Sequence, residues 1–304
     1  MSDAPFPFRG SLVAIATPFR EGAVDYEALD TLVERQIEAG QRGVVPCGST
    51  GESATLTHAE HAAVVEAVIR KVAGRVPVIA GTGSNSTAEA IELTRAAERA
   101  GAQGALLISP YYNKPTQEGI VAHYRAVAEA TSLPLIVYNI PGRTASTIEP
   151  ATLARLAEID NIVAVKDSTG SLDRVMDTVA ACGEKLAVLS GDDSLTLPMI
   201  ALGAVGGISA AANVIPAEIA GIAEAALAGR WDEARRLHYR ALPVIRACFL
   251  ESNPIPIKAA LSLLGLCRDE LRLPLTPMSE GARGRLRATL QAFGLELSRG
   301  ATAS

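Results

Sequence analysis

The run Asn161-Ile162-Val163-Ala164-Val165-Lys166 is the clearest strand signal in the sequence, because uninterrupted apolar residues lead directly to a single charge. Such a run is typical of a parallel strand that is covered on both faces. The same pattern recurs on both sides of it: a short apolar run, a polar or glycine-containing break and an amphipathic helical segment. The predicted strands are residues 11–17, 43–47, 76–80, 104–109, 133–138, 161–166, 185–190 and 206–210.

These repeated units favour a closed barrel over an open sheet. The predicted strands start about 21 to 33 residues apart, which is the size of one βα unit. An open dinucleotide-binding sheet would carry G-x-G-x-x-G after its first strand, and Ala14-Ile15-Ala16-Thr17-Pro18 has no such motif. We therefore predict an α/β fold, a (β/α)8 TIM barrel with a C-terminal helical extension.

Helical signals separate the strands and continue after the last one. Thr57 and Ser86 each precede a glutamate by three residues, the spacing of a capping box at a helix start. Beyond the eighth unit no strand signal remains, and helices are expected at about 230–250, 254–265 and 279–293. The predicted organisation is a barrel domain over residues 1–228 and a C-terminal helical region over residues 229–304.

The composition narrows the possible partners. The chain has 304 residues and a formal net charge of −5, which argues against nucleic acid and anionic membranes. No apolar stretch is long enough to span a bilayer, and Met1 to Gly10 lacks the layout of a signal peptide. The four cysteines show no zinc-like spacing and are expected to be reduced. A cytoplasmic enzyme is the expectation.

Lys166 is the leading candidate for chemistry, because active sites of such barrels lie at the carboxyl ends of the strands. Of the five lysines, it alone ends an apolar strand of the kind that is buried on both faces. Strand alternation places it on the face shared by Ile162 and Ala164. A lysine in dry surroundings loses its proton more readily and then attacks carbonyl carbons. The alternative is a structural lysine paired with Asp167 or another strand-end acid.

Two other strand ends carry suitable partners. Tyr138 ends the preceding strand and offers a phenol for proton transfer, although it also fits an ordinary strand-end aromatic. The loop Gly48-Ser49-Thr50-Gly51-Glu52-Ser53 lacks the Walker lysine, yet its hydroxyls and backbone suit a carboxylate. Arg143 can bind a second carboxylate through two hydrogen bonds, or it can form an ion pair at the surface.

His58 and His61 share a helix face but lack a third metal ligand, so no metal site is predicted.

With these motifs in hand, the chain resembles the dihydrodipicolinate synthase branch of the pyruvate-dependent class I aldolases. The resemblance runs from about Phe8 to Gly294 and includes Gly48–Glu52, Pro110–Pro115, Tyr138–Thr144, Val165–Asp167, Gly191–Asp193 and Asn253–Lys258. It implies a Schiff base between pyruvate and Lys166, with no cofactor. It further implies a proton relay of Tyr138, Ser49 and Tyr112, the last from a neighbouring subunit. Thr50 would bind the carboxylate of pyruvate and Arg143 that of aspartate semialdehyde, while Gly191 and Ile208 would line the pocket.

Two alternatives to this reaction remain at the level of sequence. The first alternative is an aldolase or dehydratase that acts on a 2-keto-3-deoxy sugar acid. Related sialic acid lyases carry the same Gly-Ser-Thr-Gly-Glu run, so this run does not distinguish the two reactions. Arg143 favours a partner with a carboxylate over a neutral sugar. Ser49 replaces the threonine that is usual in this branch, which keeps the hydroxyl but loses the methyl that restricts its rotamer. The second alternative is a barrel that has lost catalysis and only binds ligands.

The resemblance also implies regulation and assembly. Some relatives bind lysine as a feedback inhibitor at a dimer interface, and the matching residues here are Ser53, Ala54, His58, His61, Asn85, Glu89 and Tyr111. Glu89 would bind an amino group, and Asn85 and Tyr111 a carboxylate. A homotetramer built from tight dimers is the implied quaternary structure.

Overall fold

The computed structural model describes residues 8–298. Residues 1–7 and 299–304 lie outside this range. Most of the Met1–Gly10 segment, the start of the predicted barrel domain and the end of the predicted C-terminal region therefore lie outside the described residues. Within the described chain, ten strands are present: β1 Gly10–Ala14, β2 Phe19–Arg20, β3 Ala23–Val24, β4 Val44–Val45, β5 Ile79–Gly81, β6 Gly104–Ile108, β7 Leu135–Asn139, β8 Ile162–Asp167, β9 Ala187–Ser190 and β10 Gly206–Ser209.

Eight of these strands form one parallel barrel, as the sequence predicts. Their order is β4-β1-β10-β9-β8-β7-β6-β5. The two ends of this series meet through a parallel bridge between Val44 and Val78 and through a backbone bond from the N–H of Gly81 to the oxygen of Pro46 (2.9 Å). Each predicted strand overlaps an observed one. The short antiparallel hairpin of β2 and β3 was not predicted, since two residues per strand leave no periodicity to detect.

The helices alternate with the strands and then continue alone. In the described residues they are α1 Tyr26–Glu38, α2 His58–Val72, α3 Thr87–Ala100, α4 Gln117–Ala128, α5 Pro141–Thr144, α6 Pro150–Leu156, α7 Leu172–Cys182, α8 Thr196–Ala201, α9 Pro216–Leu227, α10 Trp231–Ala247, α11 Ile255–Leu263 and α12 Glu280–Phe293. The last three match the predicted C-terminal helices. Helix α10 packs on α9, and α12 packs on α10 and α11. No helix in residues 8–298 combines the length and apolar character that crossing a membrane requires.

The two predicted helix caps differ in the structure. At α2 the Thr57 side chain accepts the N–H of Glu60, and the Glu60 carboxylate accepts the N–H of Thr57 in return, a complete capping box. At α3 the Ser86 side chain accepts the N–H of Glu89, but Glu89 does not reach back. Its carboxylate is occupied instead by His58 and Ser84. Tertiary partners therefore replace the local bond at α3.

A correction concerns the start of β8. We expected Ile162 and Ala164 to share a face with Lys166, but the register against β7 shifts so that Leu135 pairs with Ile162 and Ile136 with Ala164. This bulge leaves one residue of β8 unpaired and reverses the alternation. Ile162 packs in the layer between strands and helices, whereas Ala164 lies in a separate apolar cluster.

That apolar cluster fills the barrel interior, because each of the eight barrel strands contributes to it. Its buried members are Phe8, Leu12, Ala14, Val45, Ile79, Leu106, Ile136, Tyr138, Ala164, Leu189 and Ile208. Since Lys166 follows Ala164 by two residues, its side chain lies at the carboxyl end of this dry interior.

The four cysteines are free, and three of them are buried.

Candidate active site

Lys166 and Tyr138 meet at the carboxyl end of the barrel. They are directly paired in the parallel register of β7 and β8. The Lys166 Nζ lies 4.2 Å from the centroid of the Tyr138 ring, and the two residues are 5% and 6% exposed. Neighbouring strand ends thus hold an amine and a phenol together in a nearly dry setting, as the sequence predicts.

Lys166 forms no ion pair with Asp167, the partner named first in the alternative interpretation. No described carboxylate lies within ion-pair distance (4.0 Å) of its amine. The Asp167 Oδ1 accepts instead from the N–H of Thr169 at 3.0 Å and from its hydroxyl at 2.7 Å. Burial raises the pKa of this aspartate above its ordinary value. Asp167 is therefore engaged with Thr169 and not with Lys166.

Gly191 provides the space that the Lys166 side chain occupies. A Cβ at position 191 would lie 2.8 Å from Cε and 3.0 Å from Cγ of Lys166, and would also collide with the Ser168 hydroxyl. The N–H of Gly191 donates to the oxygen of Asp167 at 2.7 Å, which keeps the backbone close. Ile208 is 1% exposed and belongs to the interior cluster beside these strands. Both residues therefore lie near Lys166, although neither lines the cavity described below.

A buried carboxyl near Lys166 was not predicted. Asp193 is 5% exposed, and its Oδ2 accepts the N–H groups of Ala210 (3.2 Å) and Ala211 (2.9 Å). Burial raises the pKa of Asp193, and its hydrogen bonds and the positive charge of Lys166 oppose that shift. The sequence signal was a polar pair, Asp192-Asp193, at a strand end, but nothing in the sequence showed which carboxyl turns inward.

The glycine-rich loop after β4 is held firmly in place. Thr50 is 2% exposed, and the Thr17 hydroxyl donates to the oxygen of Gly51 at 2.7 Å. A Cβ at Gly51 would lie 3.0 Å from the backbone nitrogen of Cys47, so only glycine fits without displacement. The loop therefore presents the Ser49 and Thr50 hydroxyls on a rigid backbone.

Two residues of the C-terminal region reach this loop and were missed. The Asn253 amide donates to the Thr50 hydroxyl at 2.9 Å, while its backbone oxygen accepts from Nη2 of Arg143 at 2.8 Å. The Lys258 Nζ pairs with Glu52 at 2.6 Å, and both side chains are fully buried. Burial lowers the pKa of Lys258, and Glu52 opposes the shift. The motif Asn253–Lys258 was noted in the sequence, but no contact followed from its spacing.

A cavity of about 420 Å³ opens beside some of these groups. Ser49, Tyr138, Arg143 and Asn253 line it. The same cavity is lined by most residues of the predicted effector site: Ser53, Ala54, His58, His61, Glu89 and Tyr111. The cavity thus joins part of the predicted catalytic site to the predicted effector site, while Lys166, Thr50, Gly191 and Ile208 lie outside its lining.

Polar contacts order the predicted effector residues. The exposed His58 ring is 2.7 Å from the Glu89 carboxylate, and the Ser84 hydroxyl donates to the same group. These two contacts lower the pKa of Glu89. The His61 ring is buried against the oxygen of Gly81 at 2.8 Å, and burial lowers its pKa. The Asn85 side-chain amide donates to the backbone oxygen of Tyr111 at 3.3 Å.

Tyr112 is the one predicted relay residue that does not line this cavity. It follows β6, is 89% exposed and has a positive φ of 72°. A large aromatic side chain with this exposure points away from its own chain.

In residues 8–298 no group of three or more His, Cys, Asp or Glu side chains could hold a metal ion.

A (β/α)8 barrel with a buried lysine and a tyrosine at adjacent strand ends, beside hydroxyls and an arginine, defines a barrel of the Schiff-base aldolase class. The model of the dihydrodipicolinate synthetase family matches residues 7–293. The chain belongs to this family.

Individual relatives agree with this assignment. The 4-hydroxy-tetrahydrodipicolinate synthase of Geobacter sulfurreducens is 57% identical over 95% of this chain and 99% of its own. The chloride-inhibited dihydrodipicolinate synthase of Acinetobacter baumannii, solved with pyruvate, is 47% identical, covers 95% of this chain and all of its own, and superposes with a TM-score of 0.94. The lysine-bound synthase of Cyanidioschyzon merolae is 43% identical with a TM-score of 0.92, covering 95% of this chain and 99% of its own.

Proposed function

We propose that this chain condenses pyruvate with aspartate semialdehyde to give 4-hydroxy-tetrahydrodipicolinate, a step of lysine and diaminopimelate synthesis. The observation that carries the proposal is the Lys166 amine 4.2 Å from the Tyr138 ring at the end of the barrel interior. An amine without an ion-pair partner in a dry site is suited to attack a keto carbon. The family and the pyruvate-bound relative support the choice of keto acid.

The reaction follows from the placement of these groups. Lys166 attacks C2 of pyruvate, water leaves, and the protonated imine withdraws electrons from C3. Loss of a C3 proton gives an enamine that attacks the aldehyde carbon. The amino group of the second substrate then displaces Lys166 from the imine carbon, which closes the ring and frees the enzyme. The imine itself takes up the electrons, so no cofactor is required.

The remaining side chains bind substrates and move protons. Tyr138 and Ser49 line the cavity, and with Tyr112 of a neighbouring subunit they transfer protons to and from the condensing oxygen. Thr50 binds the pyruvate carboxylate. The Arg143 guanidinium, which donates to Asn253 through Nη2, retains other N–H groups for the second carboxylate. Gly191 and Ile208 shape the pocket around Lys166.

Borohydride reduction in the presence of pyruvate tests this mechanism. Peptide mapping by mass spectrometry should find the reduced adduct on Lys166 and none in Lys166→Ala. Absence of an adduct in the parent would refute the Schiff base. Arg143→Ala should then reduce turnover of aspartate semialdehyde while leaving the adduct in place. Unchanged turnover would favour a neutral aldehyde partner, as in sugar-acid aldolases.

We further propose that lysine binds beside the catalytic residues as an effector. The lysine-bound relative and the cavity lined by His58, His61 and Glu89 support this site. The amino group of the ligand would pair with Glu89, whose carboxylate stays ionised because Ser84 and His58 lower its pKa. Condensation rates measured against lysine concentration should fall in the parent, and Glu89→Ala should remove the inhibition. A parent that is insensitive to lysine would refute this site.

The proposed cellular form is a cytoplasmic homotetramer made of two tight dimers. The exposed Tyr112 and the effector residues would then lie at the tight-dimer interface. We also retain the division after residue 228 as a proposal, with the C-terminal helical region closing the substrate cavity through Asn253. Sedimentation velocity on the purified chain measures the assembly directly.

A further inference from the structure

Asn253 contacts both side chains that bind carboxylates in the proposed function. It precedes α11 and lines the same cavity as Tyr138 and Arg143. Its side-chain amide donates to the Thr50 hydroxyl at 2.9 Å, and its backbone oxygen accepts from Arg143 at 2.8 Å. A single residue from the C-terminal region thus joins two groups that lie far apart in the sequence.

We propose that Asn253 is a positioning residue that directs the Thr50 hydroxyl toward the keto acid and supports Arg143. A hydroxyl has one hydrogen and two lone pairs. Because Asn253 donates to one lone pair of Thr50, the hydroxyl hydrogen is left to point at an incoming carboxylate. Thr50 is 2% exposed and β-branched, so its rotamer is already restricted. This inference rests on the carboxylate-binding role of Thr50 in the proposed function.

The contact with Arg143 is separate, because it uses the main chain of Asn253. Nη2 donates one hydrogen bond to that oxygen, and the guanidinium has five N–H groups in a planar fork. The remaining donors stay available for a carboxylate. A change of the Asn253 side chain therefore removes the support of Thr50 but keeps the backbone oxygen that holds Arg143.

A buried ion pair fixes Asn253 relative to the loop. The N–H of Lys258 donates to the oxygen of Pro254 at 2.9 Å as α11 begins. The Lys258 amine then reaches Glu52, two residues beyond Thr50, at 2.6 Å. Two contacts, Asn253 with Thr50 and Lys258 with Glu52, thus align the two segments side by side. This alignment brings the Asn253 amide to the Thr50 hydroxyl, which is its one side-chain partner in the described chain.

Steady-state kinetics on Asn253→Ala test the proposal. The KM for pyruvate should rise about three- to tenfold, the value of one neutral hydrogen bond, with a smaller change in the KM for aspartate semialdehyde. The pyruvate concentration that gives half-maximal borohydride labelling of Lys166 should rise by the same factor, with unchanged labelling at saturation. An equal rise in both KM values, or an unchanged half-saturation for pyruvate, would overturn the proposal.

A control and a double variant separate positioning from stability. Asn161→Ala removes an amide that bonds the carbonyls of Ala128 and Thr131 at the opposite end of the barrel. It should lower thermal stability and leave both KM values near those of the parent. In a Thr50→Val background, Asn253→Ala should add no further rise in half-saturation. Additive effects would refute action through Thr50, and a parent without any adduct would overturn the proposed function as well.

Discussion

At the scale of single residues, the site depends on space as much as on chemistry. Lys166 needs room to extend beside Tyr138, and Gly191 provides it by having no side chain. Thr50 and Ser49 depend in the same way on Gly51, where an added Cβ would lie only 3.0 Å from the backbone nitrogen of Cys47. Glycines therefore determine where the reacting side chains lie, although they carry no reactive group.

Gly191→Ala tests this dependence on space. The new methyl group would lie 2.8 Å from the Lys166 Cε, so the amine must move away from the substrate. We expect kcat/KM for condensation to fall about 100-fold, the typical effect of a displaced reacting group. Gly142→Ala is the matched control, since a Cβ there meets no atom within 4 Å, and its activity should stay close to that of the parent. Full activity in Gly191→Ala would show that Lys166 does not occupy this position during turnover.

At the scale of elements, alternation and strand order predicted the meeting of Lys166 and Tyr138. Both residues end strands, consecutive parallel strands pair, and the carboxyl ends of a barrel hold the active site. The bulge at Ile162 could not be predicted, because it depends on the register between two strands and on no local signal. The contacts of Asn253 and Lys258 also escaped prediction, because their partners Thr50 and Glu52 lie about two hundred positions away and leave no periodic pattern. The inward orientation of Asp193 left no local signal either.

The start of α2 gives a pH prediction at this scale. The pKa of Glu60 is lowered from 4.5 to about 2, first by Arg272 and then by the capping bond with Thr57. A carboxyl with a lowered pKa in the folded chain stabilises it fully above pH 4.5 and loses this effect as the pH falls toward about 2. Glutamine can keep the capping bond but not the charge that faces Arg272, so Glu60→Gln should lower the free energy of unfolding by about 1 kcal/mol at pH 7.

Urea unfolding at fixed protein concentration and several pH values measures this effect. The difference between parent and Glu60→Gln should shrink between pH 4.5 and about 2. Glu27→Gln, in the first turn of α1 with its side chain 86% exposed, is the control and should change little at pH 7. A difference that stayed constant down to pH 2 would mean that the Glu60 charge does not act through Arg272.

At the scale of the whole molecule, the C-terminal helices and the barrel share the site. Glu52 and Lys258 form an ion pair with no solvent exposure between the glycine-rich loop and α11. The Lys258 amine also lies 4.0 Å from the centroid of the Phe19 ring, in the hairpin after β1. Three distant segments of the chain therefore depend on one another at this point.

Lys258→Met measures this dependence, because it removes the cation that pairs with the buried Glu52 and leaves that carboxylate with the N–H of Arg272 at 3.2 Å. We expect a loss of about 3–5 kcal/mol in the free energy of unfolding, and recovery of much of it in Glu52→Leu/Lys258→Met. Lys185→Met is the matched control: its pair with Glu158 is 55% and 64% exposed, so the loss should be small. Equal losses in both single variants would contradict a special role for the buried pair.

Subunit mixing tests whether Tyr112 serves a neighbouring chain. Lys166→Ala and Tyr112→Phe should each be nearly inactive alone. In a mixed dimer, the site that keeps Lys166 would receive an intact Tyr112 from the Lys166→Ala subunit, whereas the other site would carry both changes. Hybrids isolated with two affinity tags should therefore regain about half of the parent activity per dimer, because symmetry supplies one complete site in two. If Tyr112 acted within its own chain, neither site of the hybrid would be complete, and the mixture would stay as inactive as its components. Since this side chain is 89% exposed in the isolated chain, we expect recovery.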